Sequence, residues 1–199
     1  SGDVLLHKTP YIFDVSVWEM FWAIFYGGKV VFSHPEGHRD PIYLHRLMCE
    51  VGVSIVHFVP SALIAFEAAL SVPLPSSLRY LLCSGEAVSH QILERMYTLG
   101  ANQLEIYNLY GPTEASIDAT FSHCPRDTVD VGIGKPLNNT QAYVLDTHNK
   151  PVPRGVIGEL HIGGAGLARG YLNQPELTSE RFIPNPFMTA SDKVKGYTR

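Results

Sequence analysis

Apolar and polar positions follow one another in blocks over the first two-thirds of the chain. Short apolar runs at residues 29–32, 54–59, 78–83 and 103–109 read as strands. They are continuous rather than alternating, as strands covered on both faces should be. Between them, residues 16–26, 41–51, 61–70 and 89–99 carry helical spacing. Local signals mark the helix ends: Gly27-Gly28 follows the first helix, Asp40-Pro41 opens the second, Gly52 closes it, and Gly100 closes the fourth. This order predicts an α/β fold, a parallel flavodoxin-like sheet with flanking helices. Ligands of such sheets sit at the carboxyl ends of the strands. Cys83-Ser84-Gly85-Glu86 and residues 107–114 both fall there.

Beyond Cys124 the texture changes. Glycine and proline become frequent, and residues 141–145 and 158–162 alternate in the manner of strands. Residues 146–155, with Pro151 and Pro153, read as the connection of a hairpin. The expected organisation is an α/β subdomain over 1–125 and the start of a small β-rich subdomain over 126–199.

Composition narrows the function only by exclusion. With 45% hydrophobic and 17% charged residues the chain can bury a core, and a net charge of −4 gives no reason to expect nucleic acid or a membrane as partner. No apolar run approaches the roughly 18–20 residues needed to cross a bilayer. Cys49, Cys83 and Cys124 are few, far apart and without C-x-x-C spacing. They read as buried free thiols of a reducing cytoplasm rather than a disulfide framework or zinc site. His34, Glu36 and His38 lack a further ligand pair and read as solvated loop residues.

The richest chemistry lies in Tyr107-Asn108-Leu109-Tyr110-Gly111-Pro112-Thr113-Glu114. One strand exit brings together a planar ring, an amide, a fixed turn, a hydroxyl and a carboxylate. A nucleotide site needs those groups: a ring to stack on a base, an amide to read its edge, a hydroxyl for a phosphate oxygen and a carboxylate for Mg²⁺. Magnesium takes one or two protein carboxylates and fills its shell from phosphates and water. Asp14 is the second anomaly, a carboxylate in an apolar segment entering a helix. It reads either as an N-cap or as the partner of a buried cation, since an unpaired buried charge costs several kcal/mol.

Three motif groups occur in order. They are Phe13-Asp14-Val15-Ser16-Val17-Trp18-Glu19, the Tyr107–Glu114 run, and Gly158-Glu159-Leu160-His161-Ile162-Gly163-Gly164 followed by Gly166-Leu167-Ala168-Arg169-Gly170-Tyr171, Pro175-Glu176-Leu177-Thr178 and Arg181-Phe182. Together they resemble the adenylation domains of nonribosomal peptide synthetases, in the acyl-adenylate-forming superfamily. The resemblance implies ATP and Mg²⁺ as cofactors. It places Asn108 at the adenine edge, Tyr110 on its face, Gly111 in the same loop, Thr113 on phosphate and Glu114 on the metal, with Thr113 and Glu114 catalytic. It makes Asp14 the counter-ion of the substrate ammonium. Val15, Trp18, His57, Leu82, Ser84, Leu109, Ile117 and Asp118 become the other substrate-binding positions.

In order, these pocket residues resemble those of serine-activating members, so L-serine is the expected amino acid, with threonine the expected error. The implied partners are a peptidyl carrier protein, whose phosphopantetheine thiol accepts the aminoacyl group, and condensation domains of the same assembly line. The family's phosphate loop is expected before Ser1. Its ribose-binding aspartate is expected just past Tyr197-Thr198-Arg199, and its catalytic lysine in a further domain, so the 199 residues alone are expected to be inactive. Two other readings stand beside this one. An acyl- or aryl-CoA ligase shares the Y-G-P-T-E and G-E-L motifs but has no use for Asp14. A non-catalytic module would hold an amino acid and do no chemistry.

Overall fold

The structure is a computed structural model that describes residues 2–188. The chain forms two compact units, Ser1–Tyr110 with Ser122–Gly134, and Gly111–Phe121 with Lys135–Arg199.

The first unit is built on five strands: β1 (Val4–His7), β2 (Lys29–Phe32), β3 (Ile55–Phe58), β4 (Tyr80–Cys83) and β5 (Glu105–Tyr110). Their spatial order is β2-β1-β3-β4-β5, and every adjacent pair is parallel. This is the expected doubly wound, flavodoxin-like order. Helices α1 (Val15–Tyr26), α2 (Pro41–Val51), α3 (Pro60–Ala68) and α4 (His90–Leu99) connect the strands. The β1 strand, absent from the strands expected above, is the second in the sheet. Its apolar run, Val4-Leu5-Leu6, is only three residues long and ends at His7.

Helix ends follow local chemistry. Asp40 accepts a hydrogen bond from the Tyr43 N–H at 2.9 Å with Pro41 behind it, and Ser89 caps α4. Gly27 and Gly52 take left-handed conformations as they end α1 and α2. Gly100 ends α4 in an extended conformation instead.

Strand alternation gives the sheet two different faces. Val4, Leu6, Val56, Phe58, Leu81, Cys83 and Ile106 join Leu44 and Met48 of α2, Leu63 and Phe66 of α3, and Ile92, Leu93 and Met96 of α4 in one apolar core. Each such side chain contributes about 1.5–3 kcal/mol by leaving water. The register sets His57 beside Leu82 and Leu82 beside Tyr107 on the opposite face. That face is more polar, and α1 packs beside β1 and β2. The outward side of α1 is not covered: Phe21, Ile24, Phe25 and Tyr26 are exposed, as are Tyr11, Ile12 and Phe13 ahead of it. All three cysteines are free. Cys83 and Cys124 are buried as expected, but Cys49 is exposed because it falls on the solvent side of α2.

The second unit begins with the 111–121 loop, which contains one 3-10 turn at Thr113–Ala115. Strand β6 (Thr120–His123) pairs antiparallel with β7 (Lys135–Pro136) through Thr120 and Phe121. The expected hairpin follows as β8 (Thr140–Leu145) and β9 (Glu159–Gly164), antiparallel with Thr140 opposite Gly164 and Leu145 opposite Glu159. Asp146 shapes its connection by accepting from the His148 and Lys150 N–H groups at 2.8 and 2.9 Å. A short helix, α5 (Pro175–Arg181), comes last.

Candidate substrate and nucleotide site

In the first unit, α1 carries Asp14, Val15 and Trp18 on neighbouring turns. Asp14 stands at the N-cap position, yet its side chain makes no capping bond. The cap reading therefore does not account for this carboxylate. Trp18 meets the His57 ring edge-on, with centroids 6.2 Å apart and planes at 89°. His57 lies in β3, and Ser84 is the first residue past β4. Both are buried, and His57 Nε2 is 2.8 Å from Ser84 Oγ. Leu82 shares their sheet face by register, and Leu109 shares the face of Tyr107 by alternation. The structure thus sets Trp18 and Ser84 each against His57 at the carboxyl ends of β3 and β4.

Asn108 points the other way. It is buried on the apolar-core side of β5, and its Nδ2 donates to the Gly132 carbonyl at 3.0 Å. Tyr110, at the end of β5, is exposed.

Behind His57 sits a charged cluster that the sequence reading does not assign. Glu19 is fully buried (0% exposed) on the inner side of α1. Its Oε2 accepts from His7 Nδ1 at 2.7 Å and from the Thr9 N–H at 3.1 Å, and its Oε1 accepts from Thr9 Oγ1 at 2.6 Å. Burial works to raise this carboxyl, but the bonds from His7 and Thr9, with Lys8 and His57 nearby, hold it below its ordinary value. The Lys8 amine lies over the Phe58 ring, 4.1 Å from its centroid. Burial pushes it down to about 8, against the pull of Glu19 and Cys83. Burial and then the Lys8 charge push His57 down to about 4, with Glu19 opposing. His57 is therefore a neutral imidazole at pH 7. Burial, with Cys124 next, pushes the Cys83 thiol up to about 12, so it is no nucleophile. The one sequence signal for this cluster is an acid on the buried stripe of an apolar helix.

In the second unit the loop is shaped by backbone. A Cβ on Gly111 would come within 2.5 Å of the Ile117 carbonyl oxygen and 2.6 Å of the Asp118 Cα, so only glycine fits. Ser116 and Ile117 both have positive φ, 61° and 80°. For a β-branched residue that conformation is strained, and strain of this kind collects at ligand sites. The tight return holds Thr113, Glu114, Ile117 and Asp118 in one short arc.

Glu114 is held by two bonds, and its loop by a third. Its carbonyl accepts from the Ala168 N–H at 2.7 Å. Ser116 Oγ donates to the Gly166 carbonyl. Tyr171 Oη donates to Glu114 Oε1 at 2.6 Å, which lowers that carboxyl below its ordinary value. Tyr171 is itself fixed: its N–H donates to Thr178 Oγ1 at 2.9 Å, and its ring packs edge-on to Phe182. The Gly170-Tyr171 and Pro175 to Phe182 motifs thus steer one hydroxyl onto one carboxylate. Among the described residues no group of three or more His, Cys, Asp or Glu could hold a metal. One carboxylate and the exposed Thr113 hydroxyl fit a Mg²⁺ that takes its remaining oxygens from phosphate and water. No helix among the described residues is long and apolar enough to cross a membrane.

Comparisons with known proteins place the chain in a family. The AMP-binding enzyme family matches residues 1–172. The chain is 47% identical over 193 residues to the phosphinothricin tripeptide synthetase PhsB of Streptomyces viridochromogenes, covering 97% of this chain and 16% of that protein. It is 42% identical over 195 residues to enterobactin synthase component F of Escherichia coli K12, covering 93% of this chain and 15% of that protein. Its fold overlays that of holo-AB3403, a four-domain nonribosomal peptide synthetase bound to AMP and glycine, with a TM-score of 0.84 at 34% identity, over 93% of this chain and 14% of that one. The chain thus spans about one-sixth of the length of these two relatives. With a family match over most of its length, close sequence relatives and a shared fold, the chain belongs to the AMP-binding enzyme family, in the branch formed by the adenylation domains of nonribosomal peptide synthetases.

Proposed function

We propose that the chain is the substrate-selecting core of an adenylation domain that activates L-serine with MgATP. The observation that carries this reading is the buried His57–Ser84 pair beside Trp18. An apolar floor would suit an apolar side chain. A neutral imidazole and a hydroxyl suit a small substrate that can both give and accept a hydrogen bond, as a side-chain hydroxyl does. Trp18 removes volume. Alanine would leave the wall with no substrate hydroxyl to bond, a loss that such sites reject by about 10⁴–10⁵. Threonine adds only one methyl group, so size alone separates it by roughly 10–200-fold. Asp14, free of any capping bond, is the residue for the substrate ammonium. Val15, Leu82 and Leu109 line the apolar flank, and in the second unit Ile117 and Asp118 carry the remaining substrate-binding assignments.

In the whole protein the serine carboxylate oxygen attacks the α-phosphorus of ATP. A P–O bond forms, pyrophosphate leaves, and the seryl group then passes from the adenylate to a carrier-protein phosphopantetheine thiol, releasing AMP. Thr113 and Glu114 face the phosphates, Glu114 through Mg²⁺, and Asn108, Tyr110 and Gly111 belong to the adenine side of the same loop. Magnesium would neutralise charge that builds on the phosphate oxygens. A carrier domain, condensation domains and a cytoplasmic setting complete this reading.

The test is amino-acid-dependent ATP–pyrophosphate exchange on the whole protein that carries this chain, with each of the twenty amino acids. Strong exchange with serine and weaker exchange with threonine are expected. Asp14→Ala should cut serine-dependent exchange by about 30-fold or more, the usual cost of leaving one member of a desolvated charge pair alone. Exchange driven best by another amino acid would overturn the serine assignment. Exchange only with acids that lack an amine would move the protein to the acyl-ligase branch.

A further inference from the structure

Glu19 has no place among the substrate contacts, and its burial calls for a cause. A carboxylate without water costs several kcal/mol unless it is fully paired. His7 and Thr9 supply three bonds, which explains how Glu19 is tolerated. They do not explain its position behind the pocket wall, where Oε1 lies 3.9 Å from His57 Nδ1.

That nitrogen is buried and has no hydrogen-bond partner among the described residues. The other ring nitrogen, Nε2, is bonded to Ser84 Oγ at 2.8 Å. A neutral imidazole carries one proton and one lone pair, on different nitrogens. With the proton on Nδ1, its partial positive charge lies near the Glu19 carboxylate and the Nε2 lone pair accepts the Ser84 hydroxyl proton. With the proton on Nε2, the Nδ1 lone pair would face a carboxylate across a gap too small to be filled by solvent. Away from water such dipole–charge terms are large. The carboxylate lies on the Nδ1 side of the imidazole, 3.9 Å away, and the Ser84 hydroxyl on the Nε2 side, 2.8 Å away.

We propose that Glu19 is a positioning residue of the amino-acid pocket: held by His7 and Thr9, it selects the Nδ1–H form of His57, so that Ser84 donates to Nε2 and keeps its oxygen lone pairs for a donor on the substrate side chain. This rests on the pocket assignment given above and sharpens it. The wall presents an acceptor, and the substrate class is an amino acid whose side chain donates. No proton leaves and no bond is made; Glu19 acts through His57 and touches no substrate.

The experiment has two arms on the whole protein. In the first, ¹⁵N-labelled histidine reports the His57 tautomer directly, the signal being identified by its loss in His57→Gln. A protonated Nδ1 and a bare Nε2 are expected, and a protonated Nε2 overturns the proposal even if no variant folds. In the second, Glu19→Gln keeps the size of the side chain and removes its charge. The serine KM should rise about tenfold, the size of one lost hydrogen-bond preference. The kcat should stay within about twofold, and the KM for ATP should not move. In a His57→Gln background the same Glu19→Gln change should alter the serine KM by less than about twofold, because its route is gone. An undiminished effect in that background, or equal rises in the KM values for serine and ATP, would assign Glu19 to the fold alone. A protein that exchanges with no amino acid would instead defeat the pocket assignment, a result separable from the tautomer.

Discussion

The two units prepare chemistry by opposite means. In the first, the working groups are side chains sunk in the sheet's polar face. His57, Ser84 and Glu19 are buried, and their protonation is set by burial and by each other. In the second, the working groups stand nearer to water, and backbone holds them. Gly111 lies against residues 117–118, two residues take left-handed conformations, and the Glu114 carbonyl is pinned by Ala168. Under the proposed function the difference suits the two tasks. Choosing among amino acids needs a dry, prearranged wall, because hydrogen bonds discriminate only where water cannot substitute. Meeting a hydrated phosphate and its metal needs groups that water can reach.

That contrast can be broken most strongly at Gly111. Its replacement by alanine drives a Cβ into backbone rather than into a movable side chain. We expect a loss of about 2–3 kcal/mol, seen as a fall of several degrees in melting temperature, with exchange activity lost in parallel. An alanine variant with an unchanged melting temperature would show that the loop is not held by close packing.

A smaller effect should appear as pH dependence in the first unit. The unfolded chain binds a proton at His57 near 6.5, whereas the folded chain binds one only near 4. Stability from the neutral imidazole is therefore complete above pH 6.5 and is lost as pH falls towards 4. The charged groups around the ring are Glu19, which favours its protonation, and Lys8, which opposes it. The unfolding free energy should drop across that window by on the order of 2 kcal/mol, and His57→Asn should flatten the drop. An identical slope in the variant would place the acid sensitivity elsewhere.

The smallest effect is expected at Tyr171. The Tyr171→Phe change deletes only the hydroxyl that bonds Glu114. Its loss is worth about 1 kcal/mol. The Glu114 carboxyl should rise towards its ordinary value, and the Mg²⁺ concentration for half-maximal exchange should increase a few-fold, with the serine KM unchanged. A shift in the serine KM of similar size would blur the division of labour between the two units.

Much of this was legible in the residues, and what was hidden had physical causes. The longer apolar stretches around β3 and β4, residues 54–59 and 78–83, and the alternation of β8 and β9 are signals enough to be read. The β1 strand is not, and the sheet order could not be completed without it. The gathering of Trp18, His57 and Ser84 followed from the family pattern, since 66 residues separate Trp18 from Ser84 and no local rule joins them. Glu19 was visible as an acid on an apolar helix, but its partners His7 and Thr9 lie on the chain entering that helix and meet it only in three dimensions. The strain at Ser116 and Ile117 left no trace, because neither residue is one that favours positive φ.

The outer side of α1 has a practical consequence. Phe21, Ile24, Phe25 and Tyr26 make a greasy stripe, and Ile24 and Phe25 are more than 70% open to solvent. In a test tube these 199 residues by themselves would behave as a sticky solute. Apolar dyes and other copies of the chain would compete for that stripe, and protein concentration, more than temperature, would govern how long the solution stayed clear.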